Sequence, residues 1–114
     1  MNFEIHQTSD FKVAAKALSK RYKSFKEDLR TFADSLRENP MQGVEIAPHV
    51  RKVRLAVHSK GKGKSGGLRV ITYTALVREK DGKLWLVLIY DKSEASNVKI
   101  NALKALIRRL SLDV

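Results

Sequence analysis

Cysteine is absent from this chain, and proline occurs only at Pro40 and Pro48. Without thiols there is no disulfide, no thiolate nucleophile and no zinc–thiolate centre. No apolar run approaches the roughly 20 residues of a membrane span, and no segment has signal-peptide character. The expected compartment is the cytoplasm, with no membrane partner. Glycine is scarce too, and four of its six occurrences fall between Gly61 and Gly67. Acid is missing over a long stretch: no Asp or Glu lies between Glu45 and Glu79.

That acid-free stretch holds Arg51, Lys52, Arg54, Lys60, Lys62, Lys64, Arg69 and Arg78, against a formal net charge of +11 and a pI near 10.1. Such a field selects polyanions: nucleic acid, an anionic membrane or an acidic protein. Membrane binding is the weakest of these, because no helix pairs a basic face with exposed Trp or Phe. The N-terminal third mixes charge signs as a solvated helix surface does. At 114 residues, 43% of them hydrophobic, the chain is expected to form one globular domain over residues 1–114 with an ordinary core.

Asn2 to Gln7 reads as a strand with Phe3 and Ile5 on one face. Thr8 or Ser9 caps a first helix whose apolar stripe is Phe11, Ala14, Ala15, Leu18 and Tyr22. Ser24 and Glu27 form a capping-box pattern opening a second helix, with Phe25, Leu29, Phe32, Ala33 and Leu36 inward, which stops at Asn39-Pro40. Met41 to His49 reads as a loop. Val50 to His58 alternates, with Val53, Leu55 and Val57 on one face and Lys52, Arg54, Ala56 and His58 on the other. Leu68 to Val77 is a second long strand, presenting Arg69, Ile71, Tyr73 and Ala75 together. Lys80 to Lys83 reads as a hairpin turn. Leu84 to Tyr90 is apolar on both faces, hence a central strand with Trp85 in packing. A last helix from about Asn97 to Leu110 turns Ile100, Leu103, Leu106, Ile107 and Leu110 inward. The order β-α-α-β-β-β-α predicts an α+β fold: an antiparallel sheet with an N-terminal αα-hairpin and a C-terminal helix packed on it.

Between the two long strands runs Lys60-Gly61-Lys62-Gly63-Lys64-Ser65-Gly66-Gly67-Leu68-Arg69. Glycine permits close backbone approach, lysine supplies mobile charge, and arginine a rigid fork matched to phosphate. Gly61, Gly63 and Gly66 fit the dinucleotide fingerprint by spacing, but a β-branched run follows where a helix is required. Gly63-Lys64-Ser65 also lacks the leading glycine of a phosphate-binding loop, since His58 stands there.

This loop, with Val53-Arg54-Leu55-Ala56 before it and Leu88-Ile89-Tyr90-Asp91-Lys92-Ser93 behind it, resembles the RelE/HigB toxins of type II toxin–antitoxin systems, in the RelE/ParE superfamily. The likeness covers roughly Phe3 to Leu110; Leu68 departs from it, where relatives commonly carry alanine. The resemblance implies a small endoribonuclease, an mRNA interferase acting on mRNA, usually on the ribosome, until a cognate antitoxin blocks it. Operator DNA would be met only indirectly, through the antitoxin complex. Carried onto this chain, the family's catalytic positions are Lys60, Lys62, Lys64, Arg69, Tyr90 and Lys92. Lys52, Arg54 and His58 join Lys60, Lys62, Lys64 and Arg69 as expected RNA contacts.

The residue inventory is compatible with that chemistry. RNA carries its own nucleophile, the 2′-OH, and two-metal hydrolysis would need clustered carboxylates that the basic stretch lacks. No metal or other cofactor is expected. A lysine base would need its pKa lowered by roughly three units, too much for a wet glycine loop. The lysines and Arg69 are therefore assigned to charge stabilisation, and Tyr90 to proton transfer or base stacking. His58 has the intrinsic pKa for proton transfer, weighed against the commoner structural histidine. His6 and His49 carry no signal. Two other classes stay open: a non-catalytic RNA- or ribosome-binding module, and a ParE-like gyrase inhibitor.

The charge distribution alone makes one quantitative prediction. If about five lysines and arginines meet phosphates, log K for single-stranded RNA should fall with log salt at a slope of about −3.5. Fluorescence anisotropy across a salt series measures it; a slope near zero would disqualify the basic stretch as the RNA site.

Overall fold

The computed structural model describes residues 2–60, 67–76, 81–91 and 100–112. Along the chain these form β1 (Asn2–Gln7), α1 (Ser9–Arg21), α2 (Phe25–Glu38), β2 (Val44–Ala47), β3 (Val50–Leu55), a 3-10 turn (His58–Lys60), β4 (Leu68–Leu76), β5 (Asp81–Asp91) and α3 (Ile100–Leu112). The strands make one sheet in the order β1-β5-β4-β3-β2. The α+β class is as expected. The sheet, however, is mixed rather than antiparallel, because β1 lies parallel to β5. Six residues with an apolar alternation specify a strand and its buried face, but not the direction of the neighbour.

Both helical stripes fold inward as their spacing dictates. Phe11 and Leu18 of α1, and Phe25, Phe32 and Leu36 of α2, are buried against Val53, Leu55, Val70, Leu84, Leu86 and Ile89 on one face of the sheet. α3 covers part of the other face, with Leu103 fully buried and Leu106 and Ile107 packed against Ile71, Tyr73, Trp85 and Val87. Trp85 is a packing residue, with the His6 ring stacked on it at 4.8 Å.

Other boundaries move, each for a local reason. Val44–Ala47 is a short edge strand on β3 rather than loop. Gly43 before it has a φ of +96° and sits so close to the Lys52 carbonyl that no side chain fits. β5 begins at Asp81, so Asp81 and Gly82 belong to a strand instead of a turn. β3 ends at Leu55, short of His58. Ser24 precedes α2 but makes no side-chain cap bond to its amides, the serine oxygen accepting from the Ser59 amide instead. The expected helix start at Asn97 lies outside the described residues.

The sheet carries an irregularity in β5 that bears on the candidate site. In the β4–β5 ladder Ile71 faces Leu88, yet the next residue, Thr72, faces Leu86, so Val87 is an extra residue in β5. A bulge of this kind shifts the alternation of faces by one. Leu84 and Leu86 point towards α1 and α2, Val87 and Leu88 both join the α3 side, and Ile89 returns to the first. Thr8 holds the bulge. Its hydroxyl donates to the Val87 carbonyl at 2.7 Å and accepts from the Phe11 amide at 3.0 Å, capping α1. Its own amide donates to the Leu86 carbonyl.

Thr8→Val keeps the shape and removes both bonds. It should lower stability by about 1–2 kcal/mol, the sum of a lost cap and a stranded carbonyl, with Thr8→Ser retaining most of the wild-type value. Urea unfolding of the three proteins provides the check.

Candidate nucleic-acid interface

Register across the three central strands places Arg54 opposite Arg69, and Arg69 opposite Tyr90. Directly opposed residues have Cα atoms about 5 Å apart, so the three side chains form one row across one end of the sheet. All three rise from the α3 side of the sheet, but Tyr90 does so only through the bulge. With strict alternation from Leu84 it would point towards α1. Lys52 lies on the same face of β3, opposite Ile71.

Arg69 is only 5% exposed. Its guanidinium donates to the Leu68 carbonyl at 3.3 Å, and among the described residues no carboxylate pairs with it. Burial pushes the Tyr90 phenol above its usual pKa, and the Arg69 charge partly offsets that. The hydroxyl is therefore protonated at neutral pH and can donate. Arg54 is exposed. The row thus combines an exposed guanidinium, a buried one and a protonated phenol.

The described residues on either side of the lysine-rich stretch, His58–Lys60 and Gly67, flank the end of the sheet that carries this row. The His58 flank is tied to α2. The Asp28 carboxylate, on the first turn of that helix, accepts from the Ser24 hydroxyl at 2.6 Å and the His58 amide at 3.0 Å, and it pairs with His58 Nδ1. Ser24 Oγ also accepts from the Ser59 amide at 2.8 Å. The Gly67 flank is a close packing of backbones. A Cβ on Gly67 would lie 2.3 Å from the Leu55 carbonyl, so only glycine fits there. Tyr22 steadies the end of β5, its hydroxyl donating to Asp91 Oδ2 at 3.0 Å.

Of the expected site residues, Arg54, Arg69 and Tyr90 are brought together, with Lys52 beside them. Lys62, Lys64 and Lys92 lie outside the described residues, as does the side chain of Lys60. His58 is not on the basic strand face. The strand ends before it, and the chain turns its imidazole to the α2 side, with the ring still 79% exposed. Asp28 has no assigned role in the sequence, and Ser24 and Gly67, read there as a helix cap and as part of the glycine–lysine stretch, gain their roles beside the site only from the structure. Asp28 could have been noticed, since an acid three residues after Phe25 and four before Phe32 falls on the apolar stripe of α2.

Among the described residues no three His, Asp or Glu side chains gather as metal ligands would, and no helix is long and apolar enough to cross a membrane. No family model matches this chain.

Burial raises the Asp28 pKa, but hydrogen bonds from Ser24 and from the His58 ring and amide, with the His58 charge, more than reverse this and hold it below 3.8. A carboxylate depressed in the folded state stabilises it above the ordinary aspartate pKa, and that stability is lost as pH falls through the folded value. Stability should therefore fall with acid below about pH 4. Asp28→Asn should be less stable at pH 7 by about 1–3 kcal/mol and should flatten that acid limb. Denaturant unfolding between pH 3 and pH 7 measures both.

Proposed function

We propose that this chain is the toxin of a type II toxin–antitoxin pair of the RelE/HigB kind, an endoribonuclease that cleaves mRNA at the Arg54–Arg69–Tyr90 row. The observation that carries the reading is Arg69: a buried guanidinium with no carboxylate partner among the described residues, between an exposed arginine and a protonated phenol. A fixed, partly dried fork of this kind is matched to a phosphate and costs no reorganisation when charge develops on it. The glycine–lysine loop rooted beside it adds charge from Lys60, Lys62 and Lys64, as the family resemblance implies.

In this mechanism the substrate's 2′-oxygen, losing its proton to solvent, attacks the adjacent phosphorus. The bond to the 5′-oxygen breaks, leaving a 2′,3′-cyclic phosphate and a 5′-hydroxyl. Arg69 and Arg54 bind the non-bridging oxygens as charge builds there. Tyr90 gives its proton to the departing 5′-oxygen. The same surface would be neutralised by an antitoxin with an acidic segment, would meet operator DNA only through that complex, and would work on ribosome-bound mRNA in the cytoplasm.

Arg69→Ala should reduce single-turnover cleavage about 10²-fold or more, and Arg69→Lys should recover only part, since a point charge cannot replace a fork. Tyr90→Phe should slow cleavage while leaving RNA affinity intact. Thermal unfolding must accompany each variant, because Arg69 is buried. Full activity in folded Arg69→Ala would overturn the site. Salt-sensitive binding with no new RNA 5′ ends, on or off the ribosome, would leave a binding module, and DNA damage with intact mRNA a gyrase poison.

A further inference from the structure

A cavity of about 230 Å3 opens between α2 and β3, on the far side of Arg54 from Arg69. The pairing of β2 with β3 ends at Lys52, so the strand beyond that point is not covered by β2. Phe32 and Leu55 supply apolar lining, and Thr31 and Gln42 supply hydrogen-bonding groups. Arg54 and His58 also line it, with the Asp28 carboxylate engaged by Ser24 and His58. The volume is below the roughly 300–1,000 Å3 of clefts that take drug-sized molecules, and suits one planar ring system.

Two features favour a nucleobase. Arg54 stands on the β3 edge that β2 leaves uncovered, in the lining of this cavity and in the row on the opposite face, so a chain lying along Arg69 and passing over that edge delivers its next nucleotide to the cavity. The His58 imidazole is fixed at one edge by the Asp28 carboxylate while 79% of the side chain stays open. An exposed aromatic ring with a set orientation is the device by which single-stranded RNA is stacked.

We infer that this cavity is a base-binding subsite of a single-stranded RNA, taking the nucleotide next to the phosphate held at Arg69. The inference rests on the ribonuclease reading for its phosphate. The Asp28–His58 pair then has two duties, rooting the lysine loop and presenting the ring.

The test uses a short, labelled 2′-fluoro oligonucleotide, which offers no nucleophile for cleavage, and an equal-length chain with tetrahydrofuran in place of every base. Wild-type protein should bind the first at least tenfold more tightly, the lower end of what one stacked base contributes. Thr31→Phe, at an exposed position of α2 and accompanied by thermal unfolding, fills the cavity from outside by packing on Phe32 and Leu55 without replacing a core residue. It should remove most of that tenfold preference and keep the affinity for the abasic chain. Gln42→Leu removes hydrogen bonding without filling the space, and should reduce the preference independently. Arg69→Ala should weaken both ligands alike. Equal binding of the two chains by wild type, or an unchanged preference in folded Thr31→Phe and Gln42→Leu, overturns the subsite while leaving the phosphate site standing. Abasic binding insensitive to Arg69→Ala overturns the phosphate reading itself, and the subsite with it. If both cavity variants leave RNA preference intact but abolish a complex with a co-expressed protein, the cavity is a peptide site beside the β3 edge, and the base assignment is wrong.

Discussion

The Thr8 hydroxyl, donating to the Val87 carbonyl at 2.7 Å, fastens the irregularity on which the geometry of the proposed site depends. A bulge left to itself can migrate or relax, because the extra residue has no ladder partner. Here the carbonyl of that residue is taken by a side chain that also caps α1 and whose amide bonds to Leu86. The corner between β1 and α1, the parallel β1–β5 pairing and the phase of β5 are thus one cooperative unit. Tyr90 lies three residues beyond the bulge, and the phase set at Val87 decides whether its hydroxyl joins Arg69 or turns away from it.

A second constraint concerns the lysine loop. Every ordered residue costs about 1–2 kcal/mol of backbone entropy, and glycine loses the most. The fold fixes the residues on both flanks of the lysine-rich stretch. On one side Asp28 and Ser24 gather the amides of His58 and Ser59; on the other, Gly67 packs directly on the backbone of Leu55 and Ala56. Arg54 and Arg69, whose forks gain most from being held, stand on strands.

What the sequence made legible follows from which physical signals are local. Phe11, Leu18, Phe25, Phe32 and Leu36 announce their helices and their buried faces by spacing alone, and Val53 and Leu55 against Lys52 and Arg54 announce a two-faced strand. Arg69 and Tyr90 were nameable from their place in the motif, but their being opposed was not, because it depends on a bulge inside an apolar run. Alternation cannot be read where both faces are hydrophobic, as at Leu84 to Ile89. The parallel partner of β1 and the edge strand at Val44 were hidden for a related reason: pairing direction and edge strands are decided by distant residues. His58 shows the opposite failure. A period of two was extended past Leu55, where the Asp28 carboxylate offers the chain a better set of bonds than the sheet does.

Arg69 shows why a chain would keep so unfavourable an arrangement. Removing a guanidinium from water costs several kcal/mol even after relaxation, and one carbonyl contact at 3.3 Å returns little of it. The neighbouring positions Leu68, Val70 and Ile71 are fully buried and apolar, so the strand could be packed without a charge. Arg54 on the adjacent strand adds repulsion. Stability alone therefore argues against an arginine here, and an isosteric apolar residue would serve the fold as well or better. The balance changes once an anion arrives. The guanidinium is already desolvated and held, so a phosphate that binds it meets a charge whose ordering cost was met on folding. Under the proposed function the same cost accounts for its place near the end of the sheet, where the core does not have to contain it.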